Sequence, residues 1–131
     1  MASVFTKIIR GELPGYRVAE DEHHVAILDV RPLVNGHTLV IPKREVDYSF
    51  DLSDEELARL HAFAKRVAAA VFREVPCLRI GTAVIGLEVP HVHLHLVPLN
   101  QMRDIDFQRE KLNPAPEQLE RLAERIRRVF L

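Results

Sequence analysis

The chain has 131 residues, 47% hydrophobic and 28% charged, and its 18 basic and 19 acidic side chains leave a formal net charge of −1. That length fits one domain with a core of its own, and the charge balance supplies no field to gather DNA or RNA. No apolar run approaches the ~20 residues that cross a bilayer, no secretory leader opens the chain, and a single cysteine, Cys77, excludes an internal disulfide, so a cytoplasmic protein without membrane or nucleic-acid partners is expected.

From the N-terminus, Phe5 to Arg10 predicts a short helix with Phe5, Ile8 and Ile9 on one side, ended by Gly11 and held off by Pro14. Residues 16–19 and 24–30 read as a hairpin around Glu20-Asp21-Glu22, with His23 and His24 as solvated turn residues. Asp29 is the one acidic residue in the otherwise apolar second arm. Pro32, Asn35 and Gly36 mark a loop, and His37 to Ile41 a third strand stopped by Pro42. Ser53-Asp54-Glu55-Glu56 is a capping box, in which the side chains of Ser53 and Glu56 satisfy each other's free backbone N–H groups, and Leu52 and Leu57 add a hydrophobic staple. Leu57, Leu60, Ala64, Val67 and Val71 recur at steps of three and four, predicting one long helix to about Phe72, with His61 packed or half-exposed beside the stripe. Pro76 closes it. Cys77 reads as a small core residue at the start of a fourth strand over 78–85. The turn Gly86 to Pro90 is too short for a parallel crossover, so the segment after it lies antiparallel to that strand. Beyond Pro98 the chain is polar to about Pro116. Leu119, Leu122, Ile126 and Val129 then mark a terminal helix, with Glu117 near its start and Arg127 and Arg128 near its end, as the helix dipole prefers. The predicted class is α+β. An antiparallel sheet of about five strands carries one long helix, a short N-terminal helix and a C-terminal helix, all within a single domain spanning 1–131.

The chemistry concentrates in His91-Val92-His93-Leu94-His95-Leu96. Strand side chains alternate faces, so this spacing predicts a strand with imidazoles on one face and hydrocarbon on the other. Imidazole titrates near neutrality, so one ring can attack while another donates a proton. A His-x-His strand can also chelate Zn²⁺ or Cu²⁺. No cysteine or carboxylate cluster accompanies it in the sequence, and catalysis without metal or cofactor is the expectation.

This stretch resembles the His-x-His-x-His-x signature of the histidine triad (HIT) family, nucleotide hydrolases and transferases, and the chain is most similar to its Hint-like branch. Val4 to Pro14 and Asn35 to Lys43 resemble the family's opening and middle blocks in the same order, so the likeness covers about residues 4–100 and leaves 101–131 as an extension. The resemblance implies a homodimer and a small-molecule nucleotide substrate, cleaved at its α-phosphorus through a covalent nucleotidyl-histidine. It implies His93 as nucleophile. His91 and His95 would share phosphate contact, orientation and proton delivery, and His37 would support them by hydrogen bonding. Asp29 would accept from the ribose 2′,3′-diol, with Phe5, Ile8, Ile27 and Val30 enclosing the base. The chain departs from the family where a glutamine and a hydroxyl residue commonly touch phosphate and leaving group. Leu87 and Glu88 stand there, and a carboxylate repels phosphate, so Glu88 is expected to orient a histidine, bind a cationic leaving group or face away. Glu45 replaces a common histidine and Leu99 a common arginine, neither needed for this chemistry. The implied activity is hydrolysis or nucleotidyl transfer on a purine nucleoside phosphoramidate or a dinucleoside polyphosphate; the alternative is a nucleotide-binding regulator with little turnover.

Overall fold

A computed structural model describes residues 1–131. Its elements are α1 (Val4–Ile9), β1 (Arg17–Glu20), β2 (His24–Leu28), β3 (Thr38–Pro42), α2 (Asp54–Glu74), β4 (Arg79–Val84), β5 (Leu94–Leu99) and α3 (Pro116–Val129), with short 3-10 turns at Ser49–Asp51 and Met102–Ile105. The five strands form one antiparallel sheet in the order β1-β2-β3-β5-β4. This is the α+β architecture that the sequence predicts.

Period-two alternation splits the hydrophobic residues between two faces. Ile27 lies opposite Leu39, and Leu39 opposite His95, so these side chains share a face. With Val25, Ile41 and the α1 residues Phe5 and Ile8, the apolar members form a small cluster. Ala26, Val40, Leu94 and Leu96 point the other way, into a larger core completed by Leu60, Phe63, Val67 and Val71 of α2 and Leu119, Leu122 and Ile126 of α3. β5 therefore carries hydrocarbon toward the helices and imidazole toward α1.

The long helix begins at the predicted cap. The Ser53 hydroxyl accepts from the Glu56 N–H at 3.1 Å, and Glu56 Oε1 accepts from the Ser53 N–H at 3.0 Å. α2 continues two residues past Phe72, to Glu74. Gly36 has φ +91°, a conformation that L side chains rarely adopt, and a Cβ there would meet Val75 Cγ2 at 2.8 Å. Its tight turn delivers His37 to the start of β3. No helix is long and apolar enough to cross a membrane.

Three expectations need correction. His24 is not a solvated turn residue: it opens β2, is buried, and stacks on Phe63 with ring centroids 5.1 Å apart. Asp21 Oδ1 accepts the backbone N–H groups of both His23 and His24, closing the hairpin early enough to turn His24 toward α2. Cys77 is only half-buried, and its neighbour Leu78 is 74% exposed, because this stretch leads into an edge strand with one side unpaired. Strand β5 starts at Leu94, so His91 and His93 belong to the segment leading into it rather than to the strand.

Candidate active site

His93 and His95 meet edge to face with ring centroids 5.0 Å apart, and Phe5 packs against His93 at 4.9 Å. Hydrogen bonds then fix where each proton sits. The Leu33 N–H donates to His37 Nδ1 at 3.0 Å, so that nitrogen carries a lone pair and the neutral ring holds its proton on Nε2. His37 Nε2–H therefore donates to His95 Nδ1, 2.9 Å away, leaving the His95 proton on Nε2. His93 takes the opposite tautomer. Its Nδ1–H donates to the His91 carbonyl at 2.7 Å, leaving a free lone pair on Nε2. A hydrogen-bond donor and a nucleophilic nitrogen thus occur on adjacent rings.

Burial keeps this relay uncharged. Burial above all, with Lys111 among the positive charges adding to it, holds His95 down at about 3 and His37 at about 4. His91 is fully enclosed, and both of its nitrogens are used internally: Nε2 with the Pro42 carbonyl at 2.8 Å and Nδ1 with Ser3 Oγ at 2.6 Å. Its ring thus presents no free nitrogen to a ligand.

Asp29 follows β2 and stands beside His37, with Oδ2 3.8 Å from Nε2. Its Oδ1 accepts the Arg31 N–H at 2.9 Å, and burial raises its carboxyl above the ordinary range. Phe5, Ile8 and Ile27 are buried on the same side of the sheet. Val30 is not: it is half-exposed two residues beyond the end of β2, where alternation no longer binds it to the strand's face. Glu88 is exposed, makes no hydrogen bond or ion pair, and its charge raises the carboxyl of Asp29. Two neighbours carried no sequence signal. Phe107, in the C-terminal extension, places its ring 4.7 Å from that of His95 and 6.2 Å from that of His37. The half-buried Lys111 acts electrostatically on Asp29, His37 and His95.

The family model for the HIT domain matches residues 10–102. The chain belongs to the HIT family. Among its HIT relatives is the adenosine 5′-monophosphoramidase of Schizosaccharomyces pombe, 32% identical over 128 residues and covering 96% of each chain. A Hit-like protein from Bartonella henselae involved in cell-cycle regulation superposes with TM-score 0.82 at 30% identity, over 96% of this chain and 94% of its own. A zinc-bound histidine triad family protein from Mycobacterium smegmatis gives TM-score 0.79 at 30% identity, over 98% and 92%.

The zinc in that relative raises the question of whether this HIT chain could hold a metal. Asp29, His37 and His95 bring potential ligand atoms within 4.8 Å of one another. A metal needs a lone pair from each ligand. Here the Leu33 N–H takes the Nδ1 lone pair of His37 and leaves a proton on Nε2, pointing into the trio. These donors fit a proton-ordered relay and not a cation.

Proposed function

We propose that this HIT protein is a nucleotide hydrolase or nucleotidyl transferase acting at the α-phosphorus of a purine nucleoside phosphoramidate or a dinucleoside polyphosphate. The observation that carries this reading is the His93 tautomer. With Nδ1–H committed to the His91 carbonyl, Nε2 offers its lone pair to phosphorus. Its attack forms an N–P bond as the bond to the leaving group breaks, splitting one hard displacement into two easier ones. The ring becomes cationic, and the His91 carbonyl holds the proton that carries that charge. The neutral His95 donates its Nε2–H to a phosphoryl oxygen, while the leaving amine or phosphate takes its proton from solvent. In the second step water attacks phosphorus and releases a proton to solvent as the N–P bond breaks, and Nε2 regains its lone pair. His37 fixes the His95 tautomer and His91 orients His93. Asp29 accepts from the ribose hydroxyls, and Phe5, Ile8 and Ile27 enclose the base. Adenosine 5′-monophosphoramidase relatives support the phosphoramidate substrate.

The decisive experiment pairs His93→Ala with intact-protein mass spectrometry. Turnover of adenosine phosphoramidate falls by at least about 10³-fold in the variant, and the wild-type protein mixed with substrate gains the mass of a nucleotidyl group. Retained turnover in His93→Ala refutes the assignment. Leu87 and Glu88 are both exposed, and Glu88 makes no hydrogen bond to a histidine, where the family resemblance leads one to expect phosphate-touching side chains. That observation favours a second reading, a nucleotide-binding regulator. Calorimetric AMP binding, with no product from phosphoramidates or dinucleotides, would select it.

A homodimer belongs to the same reading, and one exposed apolar edge supports it. β4 is an edge strand, with Val84 and Ile85 exposed at its end and Leu78 just before its start, and Phe72 is exposed on α2. An apolar edge of this kind is ordinarily covered.

A further inference from the structure

The tautomer of His93 depends on the carbonyl of His91, and His91 in turn is held from both ends of its ring. We propose that Glu45 is a positioning residue for the histidine site, fixing through Ser3 and Thr6 the tautomer and place of His91 and, through the His91 carbonyl, those of His93. The proposal rests on the reading of His93 as nucleophile.

Each hydroxyl in this network has one proton to give. Glu45 Oε1 accepts two bonds, from the Ser3 backbone N–H at 2.7 Å and from the Thr6 hydroxyl at 2.5 Å. Thr6 Oγ1 lies 3.4 Å from His91 Nδ1, but with its proton drawn to the carboxylate it has none to donate there. Ser3 Oγ caps α1 by accepting the Thr6 N–H at 3.0 Å. Its own proton has two possible acceptors: His91 Nδ1 at 2.6 Å and Thr6 Oγ1 at 3.3 Å. The shorter contact wins, so Nδ1 keeps its lone pair and Nε2–H goes to the Pro42 carbonyl. These bonds join the N-terminal cap, the loop after β3 and the lead-in to β5, segments 39 to 88 residues apart in the chain. The two donors hold the Glu45 carboxyl down at about 2, so it is charged throughout the neutral range. Its Oε1 stands 3.9 Å from His91 Nδ1.

A role confined to clamping α1 would disturb the Phe5 and Ile8 wall and weaken nucleotide binding. A role in positioning His91 acts on the chemical step. The two separate in the full-length Glu45→Ala and Ser3→Ala variants and their double mutant. The readouts are ¹⁵N–¹H long-range NMR of the histidine rings, steady-state kinetics on adenosine phosphoramidate and AMP calorimetry. Each single variant is expected to lower kcat about tenfold or more, the scale on which outer-shell partners of functional histidines act. KM and the AMP Kd stay within about twofold. The wild-type His91 pattern, bare Nδ1 and protonated Nε2, gives way to mixed tautomers. The double mutant loses no more than either single one, since both break the same chain of bonds. An unchanged kcat, or a fall in kcat accompanied by weaker AMP binding and a wild-type His91 spectrum, overturns the proposal. If the wild-type protein turns over no substrate, the reading of His93 as nucleophile fails, and the ring spectra still decide whether Glu45 sets His91.

Discussion

His37 and His95 show how single side chains write a pH dependence into stability. Both are buried neutral, with folded values near 4 and 3, while the unfolded chain protonates them at about 6.5. Below that value the unfolded state binds more protons than the folded one. Their contribution is therefore complete above about pH 6.5 and is lost as pH falls toward the folded values. Each ring can cost up to roughly 1.4 kcal/mol per pH unit in that window. Urea unfolding is expected to show stability dropping between pH 7 and 5, and His37→Ala should flatten the slope while lowering stability at pH 7. An equally steep slope in that variant would assign the effect elsewhere. Glu45 and Glu56, both held at about 2, extend the loss of stability below the ordinary carboxylate range.

Among the elements, α2 depends least on its surroundings for its starting point. Its capping box is local, formed by residues three apart at the surface. Ser53→Ala should cost about 1 kcal/mol, seen as a lower urea midpoint with unchanged activity. A loss of several kcal/mol would mean that the cap supports more than the helix end. β5 is different. Its apolar side chains sit in the larger core while His95 faces the site, so the strand joins packing to chemistry. Leu96→Ala should cost roughly 2–5 kcal/mol, far more than the cap, because it opens a cavity among side chains of α2 and α3.

For the whole molecule, the unpaired β4 edge carries the homodimer proposal. Val84→Lys places a charge on that edge and is expected to convert a dimer to a monomer in sedimentation velocity, leaving the fold intact. A wild-type chain that sediments as a monomer would remove the dimer. The C-terminal extension also acts at this scale. It returns past the sheet to lay Phe107 against His95 and His37, closing one side of a site whose histidines and Asp29 all precede residue 100.

Local rules made much of this legible in advance. Alternation located the strands and separated imidazole from hydrocarbon at residues 93–96; three-and-four spacing located α2 and α3; a hydroxyl and a carboxylate three residues apart marked a helix start. Each signal lies within one segment, so the sequence alone sufficed to determine it. Tertiary structure decided whatever depended on segments meeting. The burial of His24 against Phe63, the exposure of Val30, the approach of Phe107 to His37 and the tie from Glu45 to His91 join residues 39 or more positions apart or follow from where a strand ends in space. The tautomers of His91 and His95 belong there too, because the partners that set them, Ser3, Pro42 and His37, lie 49 to 88 positions away, whereas the Leu33 N–H and His91 carbonyl that set His37 and His93 lie four and two positions away.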